Sequence, residues 1–408
     1  MSTIAAFQAV RPVPQLAAQV ASKPYDVLNS HEAREEAADN PYSFLHITKA
    51  EIDLPLNIDT HSAEVYEKAR ENLRDFIDKG ILIEEGKPCY YIYRLEMNGR
   101  SQTGLVCCSS VDDYEKEIIL KHELTRPDKE ADRIHHMTAI RAQTGNVFLA
   151  YKNISAIDDL VEGWKREHAP VYDFTAADGV GHTVWIVDDE GTIQAITWLF
   201  ATEVPFTYIA DGHHRAASAA KVRKALGAGA SSESDYFLTT LFPSDQLQIM
   251  DYNRLVKDLN GATVQEFIDS LQQDFFIGRV DKPYHPTQLH EFGLYTQGSW
   301  YKLVAKEDTY SGDPIGVLDV TILQKNVLDK LLSIKDQRTD SRIDFVGGIR
   351  GLAELQRRVD SGEMKAAFSL YPVSIEQLFD IADSGEIMPP KSTWFEPKLR
   401  DGLLTHLI

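Results

Sequence analysis

The stretch that decides the fold is Tyr208–Ala219, which reads YIADGHHRAASA. The apolar run over residues 206–210 predicts a short buried strand, and the alanine-rich stretch after it predicts a helix over 213–226. The charged and imidazole side chains between them therefore lie on a strand-to-helix turn. The free backbone N–H groups and the dipole at the start of a helix favour an anion at such a turn.

The side chains of this turn are of the kinds that bind a phosphate group. Gly212 permits close approach of the backbone, and Arg215 offers a forked cation suited to phosphate oxygens. Asp211 adds a carboxylate that can take a proton or hold a metal ion. The turn is therefore a candidate corner for phosphoryl transfer. The alternative is a plain helix start with a histidine cap and a solvated arginine.

Composition limits the classes of function. The chain has 408 residues, 43% of them hydrophobic, and a net charge of −20, which predicts a globular protein without general affinity for nucleic acids or anionic membranes. Its three cysteines include no CxxC pair, so neither a disulfide scaffold nor a cysteine-based zinc site is expected, and a reducing cytoplasm fits. We find no signal peptide and no apolar run of about 18 residues.

Hydrophobic periodicity mixes helices with strands, which indicates an α+β (mixed α/β) fold. We expect an N-terminal region over 1–255 and an additional α/β C-terminal region over 256–408, with a Gly/Ala/Ser-rich loop over 227–234. The predicted elements of the first region are helices over 62–79, 130–142 and 213–226, hairpins of 89–95 with 103–108 and of 180–187 with 192–199, and strands over 147–151, 206–210 and 236–242.

A second polar cluster, KHELTRPDK, occupies residues 121–129. Because Pro127 disfavours helix at the residue before it, His122 and Glu123 are expected on a loop that leads into the 130–142 helix. They offer a base and a carboxylate close to several cations. The alternative is a solvated charged loop.

A third cluster, MPPKSTWFEPK, covers residues 388–398 and contains three prolines, which make it irregular and partly rigid. Its hydroxyl and ammonium groups are candidate ligands of an anion: Lys391, Ser392, Thr393 and Lys398. The alternative is a terminal loop that Trp394 and Phe395 fix in place.

Several of these stretches together resemble a bacterial and archaeal family known as a domain of unknown function, DUF1015. The matching stretches are PYDVLNSHEA from Pro24, HELTRPDKEADR from His122, YIADGHHRAASA from Tyr208, LDV from Leu318 and MPPKSTWFEPKLRDGL from Met388. They run from near the first residue to near the last, so the resemblance covers essentially the whole chain.

The DGHHR turn is also similar to the phosphate loop of the ParB and sulfiredoxin superfamily, and within it to that of the free serine kinases. This resemblance implies a ParB/sulfiredoxin-like core around the turn, with Asp211 as a catalytic residue. Glu123 is our candidate for a second catalytic carboxylate. The expected site residues are catalytic Asp211, Glu123 and His214, and cofactor-binding Gly212, His213, Arg215, His122, Lys391, Ser392, Thr393 and Lys398.

The resemblance implies a nucleotide-dependent small-molecule phosphotransferase that uses ATP or ADP with Mg²⁺ and phosphorylates free serine or a similar hydroxylated metabolite. One alternative is a ParB-like nucleotide-binding regulatory protein without kinase activity. Another is a metal-dependent phosphoester hydrolase, for which His213 and His214 are candidate ligands. The expected partners are small molecules rather than nucleic acid or membrane, and self-association into a homo-oligomer is an open expectation.

Overall fold

The computed structural model describes residues 1–227 and 231–408, apart from the side chain of Asp128, so part of the loop predicted over 227–234 lies outside the described residues. Strands and helices are mixed throughout, which confirms the predicted mixed α/β class. The strands are β1 (Ile4–Ala5), β2 (Val10–Pro12), β3 (Leu82–Glu84), β4 (Tyr90–Met97), β5 (Arg100–Ser110), β6 (Ile119–Leu120), β7 (Ala142–Gln143), β8 (Val147–Tyr151), β9 (Tyr172–Thr175), β10 (Gly181–Val187), β11 (Thr207–Asp211), β12 (Tyr236–Pro243), β13 (Ile249–Met250), β14 (Tyr252–Val256), β15 (Phe275–Val280), β16 (Glu291–Thr296), β17 (Ser299–Ala305), β18 (Ile343–Gly347), β19 (Ala366–Leu370), β20 (Trp394–Phe395) and β21 (His406–Leu407).

The α-helices include both short turns and long amphipathic elements. They are α1 (Ala17–Val20), α2 (Ser30–Ala37), α3 (Leu45–Thr48), α4 (Ala63–Asp78), α5 (Val111–Glu115), α6 (Pro127–Ile140), α7 (Ser155–Glu167), α8 (Glu190–Glu203), α9 (His213–Leu226), α10 (Val264–Leu271), α11 (Asp319–Leu323), α12 (Gly351–Asp360) and α13 (Ile375–Asp383). A π-helical turn, Gln324–Asp329, follows α11 directly. Among the described residues, no helix combines the length and the apolar character needed to cross a membrane.

The described chain divides into two compact units. The first unit comprises Met1–Leu247 together with Pro397–Ile408, and the second comprises Gln248–Glu396. The division differs from the predicted regions, 1–255 and 256–408, chiefly at the C terminus, because the last twelve residues pack with the first unit. The boundary at residue 396 therefore falls inside the third polar cluster.

The large sheet of the first unit positions the DGHHR turn. Its strand order is β6-β11-β8-β12-β5-β4-β10-β9, and β1 pairs with β5. The pairs β6–β11 and β8–β12 are parallel, and the other neighbours are antiparallel. Tyr208, Ile209 and Ala210 are buried in β11, as the apolar run predicts, and burial of such side chains drives the strand into the sheet. Asp211 lies where that buried strand ends.

Most of the local predictions for the first unit are confirmed. The helix predicted over 62–79 is α4, and the hairpin around Asn98 and Gly99 is β4–β5, with both turn residues at positive φ. The second predicted hairpin is wrong in its second arm, because residues 192–199 belong to α8. Asp189 caps this helix by accepting a hydrogen bond from the Thr192 N–H at 2.8 Å, and Ile196, Leu199 and Phe200 bury one face of it.

The C-terminal segment, Pro397–Ile408, is bound to the first unit along its length. Asp401 and Ser22 exchange two backbone hydrogen bonds of 3.0 and 3.1 Å, and β21 pairs with β7. The Arg400 N–H donates to the Tyr93 hydroxyl at 3.3 Å, and the Arg400 guanidinium forms an ion pair with Asp178. These contacts bring Lys398 and Asp401 into the unit that carries the DGHHR turn.

The second unit has its own sheet, with the strand order β15-β17-β16-β19-β14-β18. Two of its strands are each followed by an amphipathic helix: α12 comes after β18, and α13 comes after β19. A continuous cluster of buried apolar side chains covers this sheet, including Phe292 and Phe368. The unit therefore has a hydrophobic core of its own.

Candidate functional site

The turn between β11 and α9 depends on a glycine. Gly212 has a φ of 103°, in the left-handed region, and a Cβ there would lie 3.2 Å from the Arg215 Cζ and 3.3 Å from the Val147 Cα. Any other side chain would be both strained and crowded at this position. The first hydrogen bond of α9 runs from the Ala216 N–H to the Gly212 carbonyl, so the preceding N–H groups of the turn have no acceptor within the helix.

Asp211, at the end of β11, is held between two cations. The Lys398 ammonium donates to its Oδ2 at 3.3 Å, and the Arg215 Nη2 lies 3.6 Å from the same oxygen. Burial acts to raise the pKa of Asp211, but the charges of Lys398 and Arg215 outweigh it and hold the pKa well below its usual range. The carboxylate is therefore ionised near pH 7. Because 34% of the side chain is exposed, a ligand can also reach it.

Arg215 is buried, which excludes the alternative of a solvated arginine. Its Nη1 donates to the Asn146 carbonyl, and its Nη2 lies 3.9 Å from the Asp26 carboxylate. Burial acts to lower the pKa of Arg215, but the negative charges of Asp211 and Asp26 outweigh it and keep that pKa above its usual value. The guanidinium therefore joins the N-terminal turn around Asp26 to the end of β11.

An aromatic contact supports the N-terminal turn that carries Asp26. The Arg133 guanidinium of α6 stacks over the Tyr25 ring, with its Cζ 3.7 Å from the ring centroid. The same guanidinium binds Asp132 at 2.6 Å, and Asp132 accepts a hydrogen bond from the Tyr66 hydroxyl at 2.9 Å. These contacts fix the turn that carries Tyr25 and Asp26, which lies within the stretch from Pro24 that resembles DUF1015.

Asp401 adds a third carboxylate beside Arg215, after Asp211 and Asp26. A Cβ built on Gly145 would lie 3.2 Å from the Arg215 Cδ and 3.5 Å from the Asp401 Oδ1, so both side chains border the same narrow space. Asp401 is 2% exposed, and its Oδ2 has no hydrogen-bond partner among the described residues. Burial raises the pKa of Asp401 to about 7, although the charge of Arg215 opposes the shift. Asp401 is not among the site residues that the sequence predicts.

Two histidines of the predicted site face each other at the start of α9. The ring centroids of His122 and His213 lie 4.6 Å apart, and the ring planes form an angle of 89°. The backbone N–H of His122 donates to the His213 Nε2 at 3.5 Å. Burial lowers the pKa of His122 to about 4, although the charge of Asp211 opposes the shift. Burial and the adjacent His122 hold the pKa of His213 well below its usual value. Both imidazoles are therefore neutral near pH 7.

Glu123 completes a group of potential metal ligands. One ligand atom each from His122, Glu123 and His213 lies within 4.8 Å of the other two. His122 and His213 are buried, and Glu123 is half-buried. The loop over 121–126 is confirmed, but burial of His122 excludes a fully solvated loop.

His214 has a different contact from its neighbour. Its Nε2 accepts a hydrogen bond of 2.9 Å from the backbone N–H of Arg126, the residue that caps α6. This bond ties the first turn of α9 to the loop that carries His122 and Glu123. The catalytic role predicted for His214 stays a prediction.

Three predicted ligands lie in the second unit: Lys391, Ser392 and Thr393. The Ser392 hydroxyl donates to the Pro389 carbonyl at 2.6 Å, and the Lys391 ammonium lies 5.9 Å from the centroid of the Tyr252 ring. The buried Arg254 guanidinium donates to the Pro390 carbonyl at 3.2 Å and so fixes this loop. The expectation that Lys391 joins Asp211 in one site stays a prediction.

The first unit thus carries a carboxylate between two cations at a strand-to-helix turn, with a neutral histidine pair beside it. Over residues 4–321 the sequence matches the family model described as "Protein of unknown function (DUF1015)". The chain therefore belongs to this family, and the match ends before the C-terminal segment that supplies Lys398 and Asp401.

Comparisons with other proteins add distant similarities. No curated protein matches the sequence. A free serine kinase in complex with AMP is 12% identical, with a TM-score of 0.37 over 73% of this chain and 91% of its own. A conserved hypothetical protein from Pyrococcus furiosus is 15% identical, with a TM-score of 0.37 over 74% of this chain and 94% of its own. C-terminally truncated SbnI from Staphylococcus aureus is 11% identical, with a TM-score of 0.39 over 72% of this chain and 85% of its own.

Proposed function

We propose that this protein is a nucleotide-dependent phosphotransferase that phosphorylates the hydroxyl group of free serine or a similar small metabolite. The observation that carries the proposal is the state of Asp211. Its carboxylate is ionised and partly exposed, and it lies directly before the first turn of α9, between Lys398 and Arg215. A phosphoryl group and an acceptor hydroxyl both have suitable protein groups within this small space.

The phosphate chain of a nucleotide has two sources of positive potential here. The first is the start of α9, where Gly212 leaves the backbone accessible and the helix dipole favours an anion. The second is Lys398, whose side chain is 20% exposed and can reach a ligand oxygen. Arg215 is more deeply buried and is paired with carboxylates, so its main contribution is to hold the turn and Asp211 in position.

Asp211 has the position of a group that binds the acceptor hydroxyl. Because its pKa lies well below the usual range, it is a weak base in the free protein, and its first task is to orient the hydroxyl by accepting its hydrogen bond. Phosphoryl transfer through a loose transition state places little demand on early proton removal. Orientation and electrostatic stabilisation therefore account for most of the expected rate enhancement.

The carboxylates present fit the Mg²⁺ ion that the motif resemblance implies. Mg²⁺ commonly binds one or two carboxylates together with phosphate oxygens. Asp211 is the carboxylate that would hold it near the start of α9. When bound with a nucleotide, the ion would neutralise charge on the transferred phosphoryl group.

Serine as acceptor is supported by the similarity of DGHHR, residues 211–215, to the phosphate loop of the free serine kinases. A carboxylate beside a phosphate-binding turn suits any small alcohol, so the motif rather than the charge pattern selects this substrate. An amino acid that differs from serine only by its hydroxyl group is therefore the sharpest control.

The test is formation of phosphoserine by the purified full-length protein with Mg²⁺ and either ATP or ADP. We expect serine-dependent product with at least one donor, and none when alanine replaces serine. No phosphoserine with either donor would refute the serine kinase proposal. Nucleotide binding without turnover would favour the regulatory alternative, and release of phosphate from phosphoserine without nucleotide would favour the hydrolase alternative.

A further inference from the structure

The loop before α6 and the first residue of α9 bring together a set of side chains that phosphate binding does not require. His122 and Glu123 are adjacent in sequence, whereas His213 comes from an element 91 residues away from His122. One ligand atom from each of the three side chains lies within 4.8 Å of the other two. The tertiary structure therefore groups two nitrogen donors and one oxygen donor around a single point.

The state of His122 is the second observation. This residue is 1% exposed, and neither ring nitrogen makes a hydrogen bond of normal geometry within the described part of the chain, although the ring interacts with the backbone of Ile209. A buried polar group without a partner costs free energy, so native proteins rarely retain one without a ligand, a water molecule or a function that uses it. An ion bound at this point would satisfy one of the two nitrogens.

We propose that His122, Glu123 and His213 bind a divalent transition-metal ion of the Zn²⁺ class. Two neutral imidazoles and one carboxylate form a donor set that suits such an ion better than it suits Mg²⁺ or Ca²⁺, which prefer oxygen ligands. Three protein ligands leave a fourth tetrahedral position for water or a phosphate oxygen.

The geometry needs only a small adjustment to hold the ion. A tetrahedral ion with bonds of about 2.1 Å places its ligands about 3.4 Å apart, so the three side chains have to close by roughly 1 Å. The hydrogen bond from the backbone N–H of His122 to the His213 Nε2 is long, 3.5 Å. A metal ion therefore competes effectively for the lone pair of the His213 Nε2. This proposal goes beyond the phosphotransferase reaction, because metal binding here requires neither nucleotide nor serine.

Binding of metal alone tests the site. Titration of the metal-free full-length protein with Zn²⁺ in a calorimeter should show one ion per chain, and Co²⁺ should give the intense visible absorption of a tetrahedral complex with nitrogen ligands. Glu123→Gln and His122→Asn should each weaken Zn²⁺ binding on the order of 100-fold, since loss of even an outer partner of a metal ligand typically costs 10–100-fold.

His135, on the exposed side of α6, provides the matched control. His135→Asn removes a surface imidazole and should leave the Zn²⁺ affinity and the Co²⁺ spectrum unchanged. Glu123 is half-buried, so Glu123→Gln should stay folded even if His122→Asn does not, and thermal unfolding without metal checks both variants. Failure of the wild-type protein to bind Zn²⁺ stoichiometrically, or wild-type affinity in a folded Glu123→Gln variant, would overturn the proposal whatever the kinase assay shows.

Discussion

The end of β11 and the C-terminal segment each place an aspartate beside Arg215, and the two carboxyl groups respond in opposite ways. The pKa of Asp211 lies well below its usual range, whereas burial raises the pKa of Asp401 to about 7. Both feel the same guanidinium charge. Proximity to a cation therefore does not by itself decide the state of a carboxyl group in this site.

The difference comes from the remaining neighbours and from solvent. Asp211 gains a second cation, Lys398, and keeps a third of its side chain exposed. Asp401 is buried, has an unpartnered Oδ2 among the described residues, and feels the negative charge of Asp26. Desolvation raises the pKa of Asp401, which shares one cation with several carboxylates. For Asp211, the charges of two cations outweigh desolvation and lower the pKa.

The largest effect is expected from Asp211→Asn. This change keeps the shape of the side chain and removes the negative charge that would orient the acceptor hydroxyl and hold Mg²⁺, so the rate of phosphoserine formation should fall by about 10²–10³-fold. Nucleotide affinity should persist, because Lys398 and Arg215 lose a competing anion. Turnover numbers and calorimetric nucleotide titrations measure the two quantities separately.

A control for this variant is Asp78→Asn on the exposed surface of α4, where the side chain is 66% exposed. The control should retain the wild-type rate, since this aspartate lies on the surface of α4 and is not part of the candidate site. Equal turnover by Asp211→Asn and wild type with any acceptor would remove Asp211 from the mechanism.

Arg215→Ala should have the next largest effect, on stability as well as binding. The change leaves Asp211 and Asp26 without their shared buried cation and leaves the Asn146 carbonyl without its donor. Removal of one partner from a buried ion pair typically costs about 3–5 kcal/mol, and we expect a loss of about 3 kcal/mol because Asp401 can take up a proton. Denaturant unfolding measures the loss.

The same variant should weaken nucleotide binding by about 1.5–3 kcal/mol, the scale of one charged hydrogen bond, because the phosphate-binding turn loses the buried guanidinium that positions it. Arg74→Ala is the matched control, because its side chain is 82% exposed and should change stability by no more than about 0.5 kcal/mol. If Arg215→Ala proved as stable as Arg74→Ala, the charge of Arg215 would not stabilise the folded protein, and the proposed role of this ion pair would be wrong.

The smallest expected effect is a pH dependence of the unfolding free energy that distinguishes Asp401 from Asp211. Because the folded-state pKa of Asp401 is raised to about 7, its stabilising contribution is complete below about pH 4 and is lost as pH rises towards 7. Relative to Asp401→Asn, the wild-type protein should therefore lose about 1 kcal/mol of unfolding free energy per pH unit in this window. Asn can still accept the hydrogen bond from the Tyr25 N–H.

Denaturant unfolding of wild type and Asp401→Asn at several pH values supplies the measurement. Asp211 should give the opposite sign, because a lowered folded-state pKa stabilises the protein above about pH 4 and this contribution is lost on acidification. Parallel pH profiles for wild type and Asp401→Asn would show that Asp401 titrates normally.

Local patterns predicted the elements that carry the site. The apolar run before Asp211 and the alanine-rich stretch after Gly212 gave the strand and the helix close to their observed bounds. The strand predicted over 192–199 is wrong, because a capped helix with three large buried side chains occupies these residues. A short apolar run is compatible with either structure, and packing selects between them.

The sequence by itself determined the strand, the glycine turn and the helix, because their backbone preferences depend on residues close in sequence. The tertiary structure decided which charges surround that turn. Lys398 reaches Asp211 from 187 residues further along the chain, and Asp26 and Asp401 reach Arg215 from opposite ends of the sequence. The protonation state of each carboxyl group depends on burial and on the sum of these neighbouring charges, and both arise only when distant segments pack together.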